Sequence, residues 1–384
     1  MSATKVLDIS KICHQAKKFK KQLNTVKSTI GDERFRWYPY DSFGNFYVLN
    51  EMLKGRFRTL LSELDGALTL DFGCADGDIA FFLESLGFRV TAIDNPETDF
   101  NQMRGIRALK AALNSHVEIA KADLDSRFDL PEGPYDLVFF LGILYHLKNP
   151  CYILDLLSRQ SRFCFLSTRV ARYTPDRIKI QNAPIAYLLG PDELNHDGTN
   201  FWIFSEAGLQ RLLNRTGWEI CEFLTLGDTR SSNPQTLEND ERAFCLVRSQ
   251  RFVEGSVVPR LIRGWHQLEN NSWRWTERAF SVELSRPEHH SKATLEMGFV
   301  YPDLLKERIG KLRISARIDD TMVQDLEYSS TGAHYYRIRV PEGLLGSSTV
   351  LAEFELNGAI PPDSVDLRER GIQIVPGSSF RWTR

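Results

Sequence analysis

From Ala67 to about Ser249 the chain alternates between two periodicities, and this constrains its fold more than any other feature. Apolar strand-like runs are LTLDF, RVTAID, VEIAKAD, YDLVFFLG, FCFLST, GWEICEFLTL and RAFCLVRS. Helix-like runs fill the gaps: DIAFFLESLG, NQMRGIRALKAALNS, CYILDLLSRQ and SEAGLQRLLNRTG. Strands joined through helices run parallel, because each crossover returns the chain to the same end of the sheet, and the helices cover both faces. The last two runs are joined by the polar loop GDTRSSNPQTLENDE without a helical pattern. They are expected to form a closing antiparallel hairpin.

The flanks read differently. Residues 10–30 place Ile12, Ala16, Phe19, Leu23, Val26 and Ile30 on one apolar stripe, which predicts an amphipathic helix. Lys17, Lys18, Lys20, Lys21 and Lys27 fall on its other faces. Such a helix docks on its own domain with a solvated basic face, or binds a partner helix or an acidic partner such as RNA. After Arg251, short alternating runs such as AFSVELS, KLRISARID and HYYRIRV are separated by Gly, Pro, Ser and Asn, and helical periodicity nearly vanishes. A chain of 384 residues is long enough for two domains. The expected division is an N-terminal helix and lid segment over 1–50, an α/β domain over 51–250 and an all-β sandwich over 251–384.

The ligand is read from "LTLDFGCADGD" (Leu68–Asp78). A phosphate loop requires GxxxxGK[ST], and the dinucleotide fingerprint requires GxGxxG. Here Gly73 and Gly77 are four apart, Ala75 stands between them, and the loop carries acids that would repel a pyrophosphate. A ligand with positive groups and no phosphate suits it better, and S-adenosylmethionine (SAM) is such a ligand. Asp71 ends the first strand and faces the amino end of the methionyl group. Asp94 ends the second strand, 21 residues after Gly73, the spacing at which a carboxylate accepts ribose hydroxyls. Asp123 ends the third and can accept from the adenine amino group, with Leu124 covering the ring. Ala75 is expected to be tolerated with a negative φ, since glycine is needed only where φ is positive or the backbone touches the ligand.

"LDFGCADGD", "VTAIDN", "AKADLD" and "YDLVFFLGILYHLKNP" resemble the successive motifs of class I SAM-dependent methyltransferases, over about residues 68–249. The resemblance implies a Rossmann-like, seven-stranded, mostly parallel sheet whose last strand is reversed. Methyl transfer from a sulfonium mainly needs alignment, plus a base where the acceptor is a hydroxyl. Tyr145 and His146, just past strand four, are the catalytic candidates; their alternative is to shape the pocket. Thr168 and Arg169, past strand five, and Asn200 and Trp202, in a loop that also holds His196 and Asp197, are candidates for acceptor contact. The aromatic segment Arg34–Asn45 is either a lid or a hydrophobic anchor.

Formal net charge is −2, so no global basic field announces nucleic acid. No apolar run reaches the ~18–20 residues of a membrane span. Six scattered cysteines without CxxC pairing read as reduced thiols of a cytoplasmic protein, and no metal set is expected. "LGILYHLKNP" is also similar to the strand-four motif of enzymes that modify the tRNA wobble uridine with carboxy-SAM, a donor that calls for an extra cation. "GWHQLENNSWRWTERAFSVEL" and "PPDSVDLRERGIQI" resemble strands of β-sandwich domains found beside bacterial sugar-modifying transferases. The acceptor is thus expected to be a saccharide or small-molecule hydroxyl rather than tRNA. A SAM-binding regulatory protein without chemistry is the remaining alternative.

Overall fold

The computed structural model describes residues 7–30, 35–64, 66–126, 130, 134–194, 197–236, 238–252, 257, 259–267, 269, 273–285, 293–341, 349–374 and 379–383. The chain divides into two compact units, with the main boundary between Arg251 and Phe252.

The first unit opens with α1 (Ile9–Ile30), α2 (Gly44–Met52) and α3 (Leu60–Glu63). The core pattern follows as β1 (Leu68–Phe72), α4 (Asp78–Ser85), β2 (Arg89–Asp94), α5 (Arg104–Leu113), β3 (Glu118–Lys121) and β4 (Tyr135–Leu141). It continues through α6 (Pro150–Gln160), β5 (Ser161–Val170), β6 (Ala186–Leu188), β7 (Trp202–Phe204), α7 (Glu206–Arg215), β8 (Trp218–Gly227) and β9 (Glu241–Ser249). The order β3–β2–β1–β4–β5 is parallel throughout. β9 then pairs antiparallel with both β5 and β8, which is the closing hairpin the sequence predicts. The sheet has nine strands rather than seven, because β6 and β7 extend it beside the end of β5. Each is three residues long, too short to show alternation in the sequence.

Burial on both faces explains the near-continuous apolar strands: Leu137 and Phe139 pack on one side, Val138 and Phe140 on the other. α1 docks on the first of these cores through Ile9, Ile12, Ala16 and Leu23, with Phe19 and Val26 half-buried against it. The docked reading of this helix therefore applies. No helix among the described residues is long and apolar enough to cross a membrane.

The second unit contains β10 (Arg260–Trp265), β11 (Arg274–Ser285), β12 (Ala293–Tyr301), β13 (Leu312–Ile318), β14 (Thr321–Tyr328), β15 (Gly332–Val340), β16 (Thr349–Leu356), β17 (Gln373–Ile374) and β18 (Phe380–Thr383). All its described pairings are antiparallel. Phe354 of β16 packs against Tyr336 of β15 and Phe380 of β18, so two layers share one core, as alternating strands require. Val282, Leu284, Leu312, Ile314 and Ala316 all point into it. One short helix, α8 (Asp303–Ile309), interrupts the strands where the sequence suggested almost none. Trp275 is buried and Trp273 half-buried, and their rings meet edge-on at 5.4 Å outside the main core.

Candidate functional site

The carboxyl ends of β1, β2 and β3 carry the predicted cofactor residues. Asp71 is only 3% exposed, and its Oδ2 has no hydrogen-bond partner. Burial, then the neighbouring Asp94 charge, pushes its pKa up to about 8, although the Ala80 amide offsets part of this. Asp94 sits at the end of β2, and its carboxylate accepts the amides of Ala75 and Asn95, each at 2.8 Å. Burial raises its pKa to about 6 against the pull of those amides. Two adjacent acids, desolvated and held above their ordinary range, form a site suited to a cationic group.

Gly73 and Gly77 both have positive φ, and a Cβ on Gly73 would lie 1.9 Å from Ile143 Cδ1. Ala75 departs from the expectation of a negative φ: its φ is +48°. Left-handed backbone costs an L-residue about 1–2 kcal/mol. Here the turn presents the Ala75 amide to Asp94, a charge-assisted bond that offsets the strain. Asp123 lies two residues beyond the end of β3, exposed, with one oxygen accepting the Asp125 amide. Leu124 is buried beside Ile93 and Phe72.

Sequence reasoning missed the support of this loop. Asp76 is buried, and it accepts from Asn101 Nδ2 at 2.7 Å and from the Tyr38 amide at 2.8 Å. Lys27 pairs with Asp76 at 3.2 Å and with Asp78 at 2.7 Å, its side chain 13% exposed. It therefore does not belong to the solvated face of α1. The loop acids that repel phosphate are thus partly neutralised from below.

The segment before β1 reaches the same place. Trp37 packs on the core and lies under Lys27, whereas the Tyr38 ring meets Tyr40 and Phe100 edge-on. Burial, followed by Tyr145, Tyr40 and Asp94, pushes the Tyr38 phenol up to about 12, with Arg242 opposing. Trp37 therefore anchors this segment. Arg34 and His196 lie outside the described residues.

At the rim, Tyr145 and His146 form a 3-10 turn after β4, with ring centroids 4.2 Å apart. Arg242 of β9 lies over the Tyr145 ring at 5.6 Å. His146 Nδ1 is 3.0 Å from Thr199 Oγ1 and 3.3 Å from the Thr199 carbonyl oxygen. Burial lowers the His146 pKa, helped by the Arg242 charge, while Asp197 and the Thr199 contact oppose it.

The other acceptor candidates are engaged differently. Thr168 and Arg169 lie inside β5, paired with Ala243 and Arg242, not past its end. Arg169 is 2% exposed and ties down the loop before β9 through Asp240 at 3.0 Å and the carbonyls of Asn233 and Thr236. Thr168 is fully buried, its hydroxyl without a partner. Asn200 donates to the carbonyls of Leu194 and Asp197, which shapes its own loop, and Trp202 Nε1 donates to the Lys148 carbonyl at 3.4 Å.

Residues 48–222 match the family model of a methyltransferase domain. The resemblance of the α/β unit to class I SAM-dependent methyltransferases holds. Among curated proteins no match to this chain is found. Solved structures similar to it include the N-terminal domain of EvdMO1 in the presence of SAH and D-fucose, at 17% identity and TM-score 0.38, covering 61% of this chain and 96% of that one. Another is an S-adenosylmethionine-dependent methyltransferase from Mesorhizobium loti, at 16% identity and TM-score 0.37, covering 53% of this chain and 97% of that one.

Proposed function

We propose that this protein moves a methyl group from SAM to a hydroxyl acceptor, a saccharide or small molecule rather than tRNA. The observation that carries the reading is the buried, unpartnered carboxylate oxygen of Asp71 beside Asp94. A cationic ligand at that point restores the missing charge partner. Asp94 receives the ribose hydroxyls, Asp123 the adenine amino group, and Leu124 the ring face. Gly73, Ala75 and Gly77 supply the turn that brings the backbone close. SAM supplies a methyl group already activated on sulfur, which leaves the chain to align the acceptor and remove its proton. His146 is the base, since its lowered pKa keeps the imidazole neutral near pH 7. Tyr145 packs against it, with ring centroids 4.2 Å apart.

The saccharide preference rests on the sequence resemblance of the second unit and on the absence of a global basic field, with a net charge of −2. A cytoplasmic location is supported by six free thiols. One observation favours the second reading, carboxy-SAM and wobble uridine: Arg242, beside Tyr145, supplies the cation such a donor requires.

The test is turnover of SAM to S-adenosylhomocysteine with cell extract, followed by fractionation of the methylated pool. Label in glycan or small molecules supports the first reading. Label in RNA supports the second. SAM binding without turnover in any pool leaves the regulatory alternative.

A further inference from the structure

The rim holds a hydrogen-bonded chain that ends on His146. Thr199 Oγ1 lies 2.6 Å from Asp197 Oδ1, and the Thr199 amide donates to the same oxygen at 2.9 Å. Burial raises the Asp197 pKa, but the two Thr199 bonds and the His146 charge more than offset it, so this carboxylate is ionised and only accepts. The single Thr199 hydroxyl proton therefore points to Asp197, and Thr199 Oγ1 presents lone pairs to His146 Nδ1 at 3.0 Å. The second neighbour of Nδ1, the Thr199 carbonyl at 3.3 Å, also can only accept. Nδ1 must therefore carry the proton. The loop that presents Thr199 is itself fixed to the rim, because the Phe201 amide donates to the Tyr145 carbonyl at 2.8 Å.

We propose that Asp197 and Thr199 are positioning residues that hold neutral His146 as its Nδ1–H tautomer and leave Nε2 as the base for an acceptor hydroxyl. This rests on the methyltransferase reading for its purpose but not for its geometry. As the new carbon–oxygen bond forms and the carbon–sulfur bond breaks, the electron pair stays on sulfur. The acceptor proton passes to Nε2, and the resulting imidazolium is stabilised by the Asp197 charge through Thr199. Asp197 is the supporting charge facing His146, Arg242 is the opposing one, and the Tyr145 ring lies tilted beside it.

The test is long-range 1H–15N correlation spectroscopy of the full chain, labelled at its eight histidines, with the His146→Gln spectrum identifying the His146 signals. Neither SAM nor an acceptor is needed, so failure here is separable from failure of the methyltransferase reading. The expected wild-type result at pH 7.5 is a protonated Nδ1 and a bare Nε2, titrating below the ordinary value of ~6.5. Asp197→Ala frees the Thr199 hydroxyl to donate, so the tautomer shifts toward Nε2–H and the midpoint falls further. Thr199→Ser keeps the wild-type spectrum. A protonated Nε2 in the wild type, an Asp197→Ala spectrum and midpoint identical to wild type, or a Thr199→Ser spectrum resembling Asp197→Ala would each overturn the proposal.

Discussion

The floor of the site and its rim are built in opposite ways. Asp71, Gly73 and Gly77 belong to one strand–turn–helix unit, and Asp94 and Asp123 to the next two strand ends. Tyr38, Tyr145, Thr199 and Arg242 come from four separated segments. The floor is acidic, and its buried Asp71 has an unpartnered oxygen, whereas the rim pairs its groups with one another. On the proposed reading, the floor selects the ligand by charge and the rim sets where a proton goes.

The largest expected effect belongs to the rim. With the acceptor identified, His146→Ala lowers turnover by ~10²–10⁴ while SAM affinity is retained. A parallel loss of SAM affinity, read by calorimetry, would make His146 part of the pocket wall. For the floor, Lys27→Met leaves Asp76 and Asp78 without their cation. Removing one partner of a buried pair costs about 3–5 kcal/mol, measurable by urea denaturation, and a change below ~1 kcal/mol would return Lys27 to the solvated face.

The two regions also separate by pH. The folded pKa values of Asp71 and Asp94, about 8 and about 6, exceed the ordinary carboxylate value of 3.8. Their contribution to stability is therefore fully present below about pH 4 and is lost as pH rises through about 6 for Asp94 and about 8 for Asp71. A cationic ligand prefers the ionised acids, so SAM affinity rises between pH 5 and 8 and binding releases protons. Calorimetry in buffers of different ionisation enthalpy counts those protons, and uptake instead of release would contradict the floor. The smallest effect lies outside the site: Trp273→Ala, at a half-buried position, costs about 1–2 kcal/mol in the thermal unfolding of the full chain.

The placement of Asp71, Asp94 and Asp123 at strand ends was legible in the sequence because each acid closes an apolar run, and run and turn are contiguous. The rim was not. Thr199 and Arg242 show no periodicity, and His146 meets Thr199 only because the loop before β7 is bonded back to the Tyr145 carbonyl. Lys27 misled because one residue of a basic face turns inward when its partner lies 49 positions away. Ala75 misled because the demand came from Asp94: the amide must reach that carboxylate, and the backbone accepts a left-handed turn to do so. Thr168 and Arg169 were placed too far along the chain because β9 pairs with β5 as far as Val170.

The central claim is that the paired acids at the strand ends hold SAM. The most direct measurement is titration calorimetry of SAM into the wild-type chain and into Asp94→Ala at pH 7.5. Two charge-assisted hydrogen bonds, each worth ~1.5–3 kcal/mol before solvent compensates, predict that the wild type binds and that the variant weakens by about a hundredfold or more. Undiminished affinity in Asp94→Ala, or no binding by the wild type, would contradict it.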